Sequence, residues 1–261
     1  MIKAKKSLGQ NFLIDRKILE KIVNVAPIKN KIILEIGPGT GNLTSFILKK
    51  KPKKLVVIEK DKDLVLKLTN IFNDQISVIN DDVLNVNENL LFNKNVVVFG
   101  NLPYNISTEI LSKWIINSNN NFWFDHLVLM FQKEVADRII SNHNSSNYGR
   151  LSIISNWKLK IEKIMDIKPY SFKPVPKVDS SLLTFTPKNN YKKICSEKSL
   201  EKITRIFFNQ RRKKIKKPFY QIFSKKDKVL DKLNISLDLR PQNLDYETYL
   251  KLAREFEKLS S

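Results

Sequence analysis

The stretch "IILEIGPGTGNLTSFILKK", residues 32–50, decides how the rest of the chain is read. Residues 32–36 are apolar and β-branched apart from one acid, Glu35, and have the composition of a buried strand. Three glycines follow, Gly37, Gly39 and Gly41, and then a segment with helical spacing at 42–50. Glycine at a strand exit lets the chain turn sharply into a helix and lets a ligand approach bare backbone. A dinucleotide fingerprint, G-x-G-x-x-G, asks for a third small residue at 42, where this chain carries Asn42. A glycine turn alone is weak, because many α/β proteins have one for structural reasons.

Working outward, the same alternation repeats. "LVVIE" at 55–59, "ISVI" at 76–79, "VVVF" at 96–99 and "HLVLMF" at 126–131 read as strands. "DLVLKLTNIF" at 63–72 and "STEILSKWII" at 107–116 carry helical spacing. Strand–helix alternation of this length predicts an α/β fold with a parallel sheet covered by helices on both faces. Ligands of such folds bind beyond the carboxyl ends of the strands. There the second strand ends in Glu59, placed where a ribose-binding acid belongs, since a carboxylate accepts from both ribose hydroxyls. The third is followed by Asp81 and Asp82, suited to accept from an adenine amino group. The fourth runs into "GNLPYNIST" at 100–108, with Asn101, Leu102, Pro103 and Tyr104. Each has a bland alternative: a glycine turn, a surface ion pair, an N-cap, a proline turn.

Past residue 166 the texture changes. "KPYSFKPVPKVDSSLLTFTPK" at 168–188 carries prolines at 169, 174, 176 and 187 and reads as an extended loop followed by a last strand. No glycine occurs after Pro187, and amphipathic, Lys-rich helical segments run to the end. A boundary near 187 divides the chain into 1–187 and a small all-α domain, 188–261. The formal net charge is +21, from 47 Lys and Arg against 26 Asp and Glu, which favours a polyanionic partner, nucleic acid before membrane. Codon drift alone scatters lysine, but it does not inflate arginine, and Arg211 and Arg212 sit together in the densest basic run, "NQRRKKIKK" at 209–217. The single cysteine, Cys195, and two histidines, His126 and His143, exclude a disulfide framework and point away from a metal site. The N-terminus has no apolar signal region and no run is long enough to span a bilayer, so a soluble, cytoplasmic chain is expected.

A glycine turn, two acids and an Asn-x-Pro-Tyr on four successive strand ends resemble a class I S-adenosylmethionine-dependent methyltransferase, of the kind that methylates an exocyclic amine. "SLGQNFLID" at 7–15, "EIGPGTGNLT", "NLPYNIST", "FQKEVADRI" at 131–139, "FKPVPKVDSSLL" at 172–183, "FFNQRRKKIKK" at 207–217 and "LRPQNLDYETYLKLA" at 239–253 narrow this. Their order is similar to that in the ribosomal RNA adenine dimethyltransferase family, nearest the kasugamycin-sensitivity type that acts on small-subunit rRNA. The resemblance implies S-adenosyl-L-methionine as cofactor, held by Asn11, Leu13, Gly37, Glu59, Asp82 and Asn101. It implies as partner the small-subunit rRNA of an assembling small ribosomal subunit, with RNA contacts from Arg211, Arg212, Lys213, Lys214, Lys216 and Lys217. Lys3, Lys5 and Lys6 add a basic front, and nothing points to an obligate dimer. Two positions depart from the family pattern: Lys60, where an apolar residue usually packs on the adenine ring, and Lys213, where threonine is common. Rival readings are the antibiotic-resistance relative acting on large-subunit rRNA, a non-catalytic assembly factor, and a nicotinamide-dependent oxidoreductase.

On this reading "NLPY" has a chemical purpose. The exocyclic nitrogen of adenine is a poor nucleophile, because its lone pair is delocalised into the ring. Asn101 Oδ1 and a carbonyl of the Leu102–Pro103 segment are expected to accept from the amine and favour a pyramidal nitrogen, with Pro103 fixing the carbonyl's direction. Tyr104 offers a stacking face to a base taken out of its stack, and the resemblance suggests Phe172 as the second. No titratable base and no metal ion are called for.

Overall fold

The computed structural model of the protein describes residues 4–5, 8–92, 95–118, 122–194, 196–224 and 228–260. Lys3, Lys6 and Cys195 lie outside the described residues. A short strand β1 (Phe12–Leu13) and helix α1 (Arg16–Ile22) come first, Asp15 capping the helix by accepting from the Lys17 and Ile18 N–H groups. Strands and helices then alternate as β2 (Ile32–Ile36), α2 (Asn42–Lys49), β3 (Lys54–Ile58), α3 (Lys62–Phe72), β4 (Ser77–Ile79), α4 (Glu88–Leu91), β5 (Val96–Asn101), α5 (Ser107–Ile116), β6 (Phe124–Gln132) and α6 (Lys133–Ile139). After α7 (Arg150–Lys158) come β7 (Leu159–Ile167), β8 (Phe172–Lys173) and β9 (Ser180–Pro187).

Seven strands form one sheet in the order β4-β3-β2-β5-β6-β9-β7. Neighbouring strands from β4 through β6 are parallel, and β9 runs antiparallel to β6. The sheet is therefore mixed where the alternation predicts a parallel one. β9 follows loop and strand segments instead of a crossover helix, and antiparallel neighbours need no crossover.

The strand order reverses at β2: β3 and β4 build outward on one side, β5 and β6 on the other. This is a topological switch point, and it opens a crevice at the carboxyl ends of β2 and β5. Register decides what meets there. Ile36 lies opposite both Ile58 and Gly100, so the next residues along, Gly37, Glu59 and Asn101, emerge together. One face of the sheet, including Ile33, Val57, Val97, Phe99 and Val128, packs with Leu19 and Ile22 of α1, Ile47 of α2 and Leu68 of α3. Residues of the opposite face, such as Leu34, Val56, Val98 and Leu129, are also buried, so both sides are covered.

Two compact units emerge. One comprises Met1–Lys113, Asn121–Ala136 and Lys160–Pro187; the other comprises Trp114–Asn120, Asp137–Leu159 and Lys188–Ser261. In the second unit α7 joins α8 (Glu197–Phe208), α9 (Lys216–Tyr220), α10 (Val229–Leu233) and α11 (Tyr246–Ser260). Its core gathers Ile153 and Trp157 of α7 with Ile203, Phe207, Phe219, Tyr249 and Leu252. Tyr249 is buried there with its hydroxyl donating to the Pro241 carbonyl, 2.8 Å away, which satisfies the one polar atom of the ring. Among the described residues no helix is long and apolar enough to cross a membrane.

Candidate functional site

A cavity of about 170 Å³ lies at the switch point. Its lining includes Asn11, Leu13, Gly37, Glu59, Asp82, Asn101, Leu102, Pro103 and Tyr104, all singled out from the sequence, together with Phe12, Glu35, Lys60 and Met130. Gly37 and Gly39 have φ of +63° and +59°. A Cβ on Gly39 would stand 2.7 Å from the Phe12 ring, so glycine there lets the segment 8–13 close against the turn.

Asn101 ends β5, and its Nδ2 donates to the Asn11 carbonyl at 2.7 Å. The amide nitrogen is thereby committed. A flipped amide would set two oxygens against one another, so Oδ1 is the atom left to accept elsewhere. Glu59 follows β3 and is buried, with Oε2 accepting from the Gly39 N–H at 3.2 Å and Oε1 from the Asp61 N–H at 2.9 Å. Burial pushes its carboxyl above the ordinary range, and the backbone donors Asp61 and Gly39 offset part of that. A carboxylate has about four lone-pair sites, so Glu59 keeps capacity to accept from a ligand that offers hydroxyl donors.

Glu35 sits deeper, 1% exposed, accepting from Thr44 Oγ1 at 2.7 Å. Burial raises its carboxyl from 4.5 to about 8; Thr44 pulls the other way and the nearby Glu59 charge adds to the rise. The folded state thus holds this proton more tightly than the unfolded chain. Its stabilisation is complete below about pH 4.5 and is lost as pH rises towards about 8. Urea unfolding at pH 5.5 and 8.5 should show the wild type losing on the order of 3 kcal/mol across that window relative to Glu35→Gln, which keeps the Thr44 partner without titrating. Parallel pH profiles for the two proteins would remove Glu35 from this role.

Asp82 reaches the cavity from the loop after β4. Its Oδ1 accepts from the Leu84 N–H at 3.0 Å and its Oδ2 from Lys60 Nζ at 2.8 Å. Burial would raise this carboxyl, but the hydrogen bonds from Lys60 and Leu84 hold it below the ordinary range. Lys60 lines the cavity while its side chain stays 59% exposed, as a long amphipathic residue can. Lys113 fixes the same loop from α5, donating to the carbonyls of Val83 and Val86 and pairing with Glu88.

In "NLPY", the Pro103 carbonyl accepts from the Ile106 N–H at 3.1 Å, and the Leu102 carbonyl lies outside that turn. Tyr104 shares a 2.6 Å hydrogen bond with Ser180 Oγ at the start of β9, and burial pushes its phenol up. Phe172 is not brought to the cavity. It is 1% exposed, opposite Leu13 in the β1–β8 pair and within the core below. A ring that fills core volume has no face to offer a base. In the basic run, Arg212, Lys213, Lys216 and Lys217 are exposed, and Lys214 pairs with Asp238 at 2.7 Å. Arg211 is half-buried, its Nη2 donating to the carbonyls of Ser146 and Tyr148.

Sequence reading missed the fastenings of the segment 8–13. Gln10 Nε2 donates to Asp61 at 2.9 Å, and Lys5 Nζ bridges Asp61 and Asp63 at 2.6 and 2.8 Å. Asn42, noted only as a break in a dinucleotide fingerprint, donates to the Leu13 carbonyl at 2.8 Å. That misfit was the available signal.

The ribosomal RNA adenine dimethylase family model matches residues 1–258. The chain is 65% identical over 258 residues to the Ribosomal RNA small subunit methyltransferase A of Pelagibacter ubique (strain HTCC1062), covering 99% of this chain and 98% of that protein. It is similar to a solved dimethyladenosine transferase from Plasmodium falciparum, with a TM-score of 0.78 and 30% identity over 95% of this chain and 98% of that one. The solved 23S rRNA methyltransferase ErmE shares the fold, with a TM-score of 0.68 and 22% identity over 95% of this chain and all of that one. With the class I methyltransferase sheet and the strand-end cavity already in place, the chain belongs to the ribosomal RNA adenine dimethylase family of S-adenosylmethionine-dependent methyltransferases.

Proposed function

We propose that this protein transfers methyl groups twice to the exocyclic amine of adenines in small-subunit ribosomal RNA, acting on an assembling subunit as a cytoplasmic monomer. The small-subunit assignment is supported by the relative of that name, 65% identical along the whole chain. The observation that carries the chemistry is the Asn11–Asn101 hydrogen bond, because it leaves Asn101 Oδ1 as an acceptor at the cavity.

The cavity residues fit S-adenosylmethionine. Glu59 suits the ribose hydroxyls, Asp82 the adenine amine, Gly37 leaves bare backbone beside Asn101, and Asn11 and Leu13 close the wall. Bound there, the cofactor supplies an electrophilic methyl on a sulfonium that departs as a neutral thioether. Asn101 Oδ1 and the Leu102 carbonyl accept hydrogen bonds from the target amine, which draws its nitrogen towards pyramidal geometry and turns its lone pair to the methyl. Pro103 restricts the backbone carrying that carbonyl, and Tyr104, steadied by Ser180, stacks on the extruded base. Phe172 backs Leu13 from the core. At each transfer the amine gains a methyl and gives up one N–H proton, which passes to solvent water, so the reaction rests on positioning and electrostatics.

In the helical unit Arg212, Lys213, Lys216 and Lys217 meet phosphates, sharing the task with Lys214, and Arg211 shapes the 146–148 loop beside them. Phosphate contacts position without reading bases, so target choice rests on RNA shape.

The test is methyl transfer from S-adenosylmethionine to small ribosomal subunits isolated without dimethyladenosine, read by nucleoside mass spectrometry. Dimethyladenosine should appear on small subunits. Cofactor binding with methylation of large-subunit RNA only would overturn the substrate.

A further inference from the structure

The segment 168–179 joins β7 to β9 and has no part in the chemistry above, yet both of its ends are tied to the cavity wall. Phe172 and Lys173 pair with Leu13 and Phe12, which line the cavity. Ser180, at the far end, holds the hydroxyl of Tyr104, another lining residue. The Ser171 carbonyl accepts from the Ile14 N–H at 2.8 Å, and Lys168 pairs with Asp179 at 2.8 Å across the base of the loop. The loop therefore passes along the rim of the site.

Its surface is unusual for a water-facing loop. Tyr170 is 73% exposed and Val175 64%, and Val178 and the neighbouring Ile14 are exposed as well. Between them stand the exposed lysines Lys173 and Lys177. Large apolar side chains left in water on a site's rim mark a binding surface. Interleaved with ammonium groups, they match a strand that alternates flat bases with phosphates, and aromatic faces with a basic track are how single strands are held. Pro169, Pro174 and Pro176 restrict the backbone, so little freedom is left to lose on binding.

We propose that this loop is a docking surface for the single-stranded RNA flanking the target adenine. Tyr170 stacks on a neighbouring base, and Lys173 and Lys177 meet the phosphates on either side. The inference rests on the reading of the cavity as the adenine-methylating site. It assigns the loop a job apart from holding the target base itself.

The test uses the full chain and a short single-stranded RNA oligonucleotide containing unmethylated adenine, titrated over a salt series, with S-adenosylmethionine binding measured on every variant. Tyr170→Ala should weaken RNA binding about tenfold, the size of one lost base stack, whereas Tyr170→Phe keeps the stacking face and should stay within roughly twofold of wild type. Lys173→Gln with Lys177→Gln should lower the slope of log affinity against log salt by about 1.4, two phosphates on a single strand. A control pair, Lys51→Gln with Lys53→Gln in the turn before β3, should leave the slope in place. The proposal is overturned if the loop variants bind the oligonucleotide as wild type does, or if the control pair lowers the slope equally. It is also overturned if oligonucleotide affinity holds while only KM for intact subunits rises, since the loop would then meet a ribosomal protein. Failure of the wild type to bind S-adenosylmethionine is a separate result and would sink the reading of the cavity instead.

Discussion

Asn101→Ala is expected to lower kcat for methyl transfer by about a hundred- to a thousandfold, the usual cost of removing one preorganised hydrogen-bonding group from a reacting centre. The substitution takes away the acceptor proposed for the amine, and it also frees the Asn11 carbonyl, which now accepts from Nδ2. Affinity for S-adenosylmethionine should change far less than kcat, because Glu59 and Asp82 stay in place. Asn101→Asp separates the two effects. It keeps an acceptor but sets a carboxylate against the Asn11 carbonyl, and should recover only a small part of the loss. Single-turnover rates at saturating cofactor and RNA are the measurement. A kcat within a few-fold of wild type in the alanine variant would mean that the amine is held by something other than Asn101.

Glu59→Gln is expected to raise the dissociation constant for S-adenosylmethionine about a hundredfold, on the order of 2–3 kcal/mol. Both carboxylate oxygens accept from backbone, one from Gly39 and one from Asp61. An amide has a single acceptor oxygen, so one buried N–H loses its partner and the turn that carries Gly39 loosens. The same change removes an acceptor expected for the ribose. Calorimetric titration decides it, and an affinity within about threefold of wild type would remove Glu59 from the cofactor site. Thermal unfolding in the absence of cofactor should drop only modestly, which keeps binding distinct from folding.

Much of the fold was legible because local composition carried it. The runs at 32–36, 76–79 and 96–99, which fall on β2, β4 and β5, are mostly β-branched and aliphatic, and the switch-point rule then directs attention to the residues just past the strand ends. Segment 150–167 was not legible. In "RLSIISNWKLKIEKIMDI" helix α7 passes into strand β7 at 158/159 with no glycine or proline to punctuate it, and its apolar residues follow neither period cleanly. The antiparallel placement of β9 was hidden for a related reason, since pairing partners are chosen by long-range packing that no local window contains.

By itself, the sequence determined which residues stand at the strand ends: glycines after β2, an acid after β3, acids after β4 and "NLPY" leaving β5. Residue type and short-range periodicity suffice for that. Only the tertiary structure decided what those residues can do. Asn101 presents its oxygen because Asn11, 90 positions earlier in the chain, takes its N–H. Lys60 is held to Asp82, Arg211 commits its Nη2 to two loop carbonyls, and Phe172, which by type belongs with a base, fills core volume. The physical reason is the same in each case. A side chain's donors, acceptors and faces are consumed by whatever neighbour the fold brings within reach, and that neighbour lies far away in sequence.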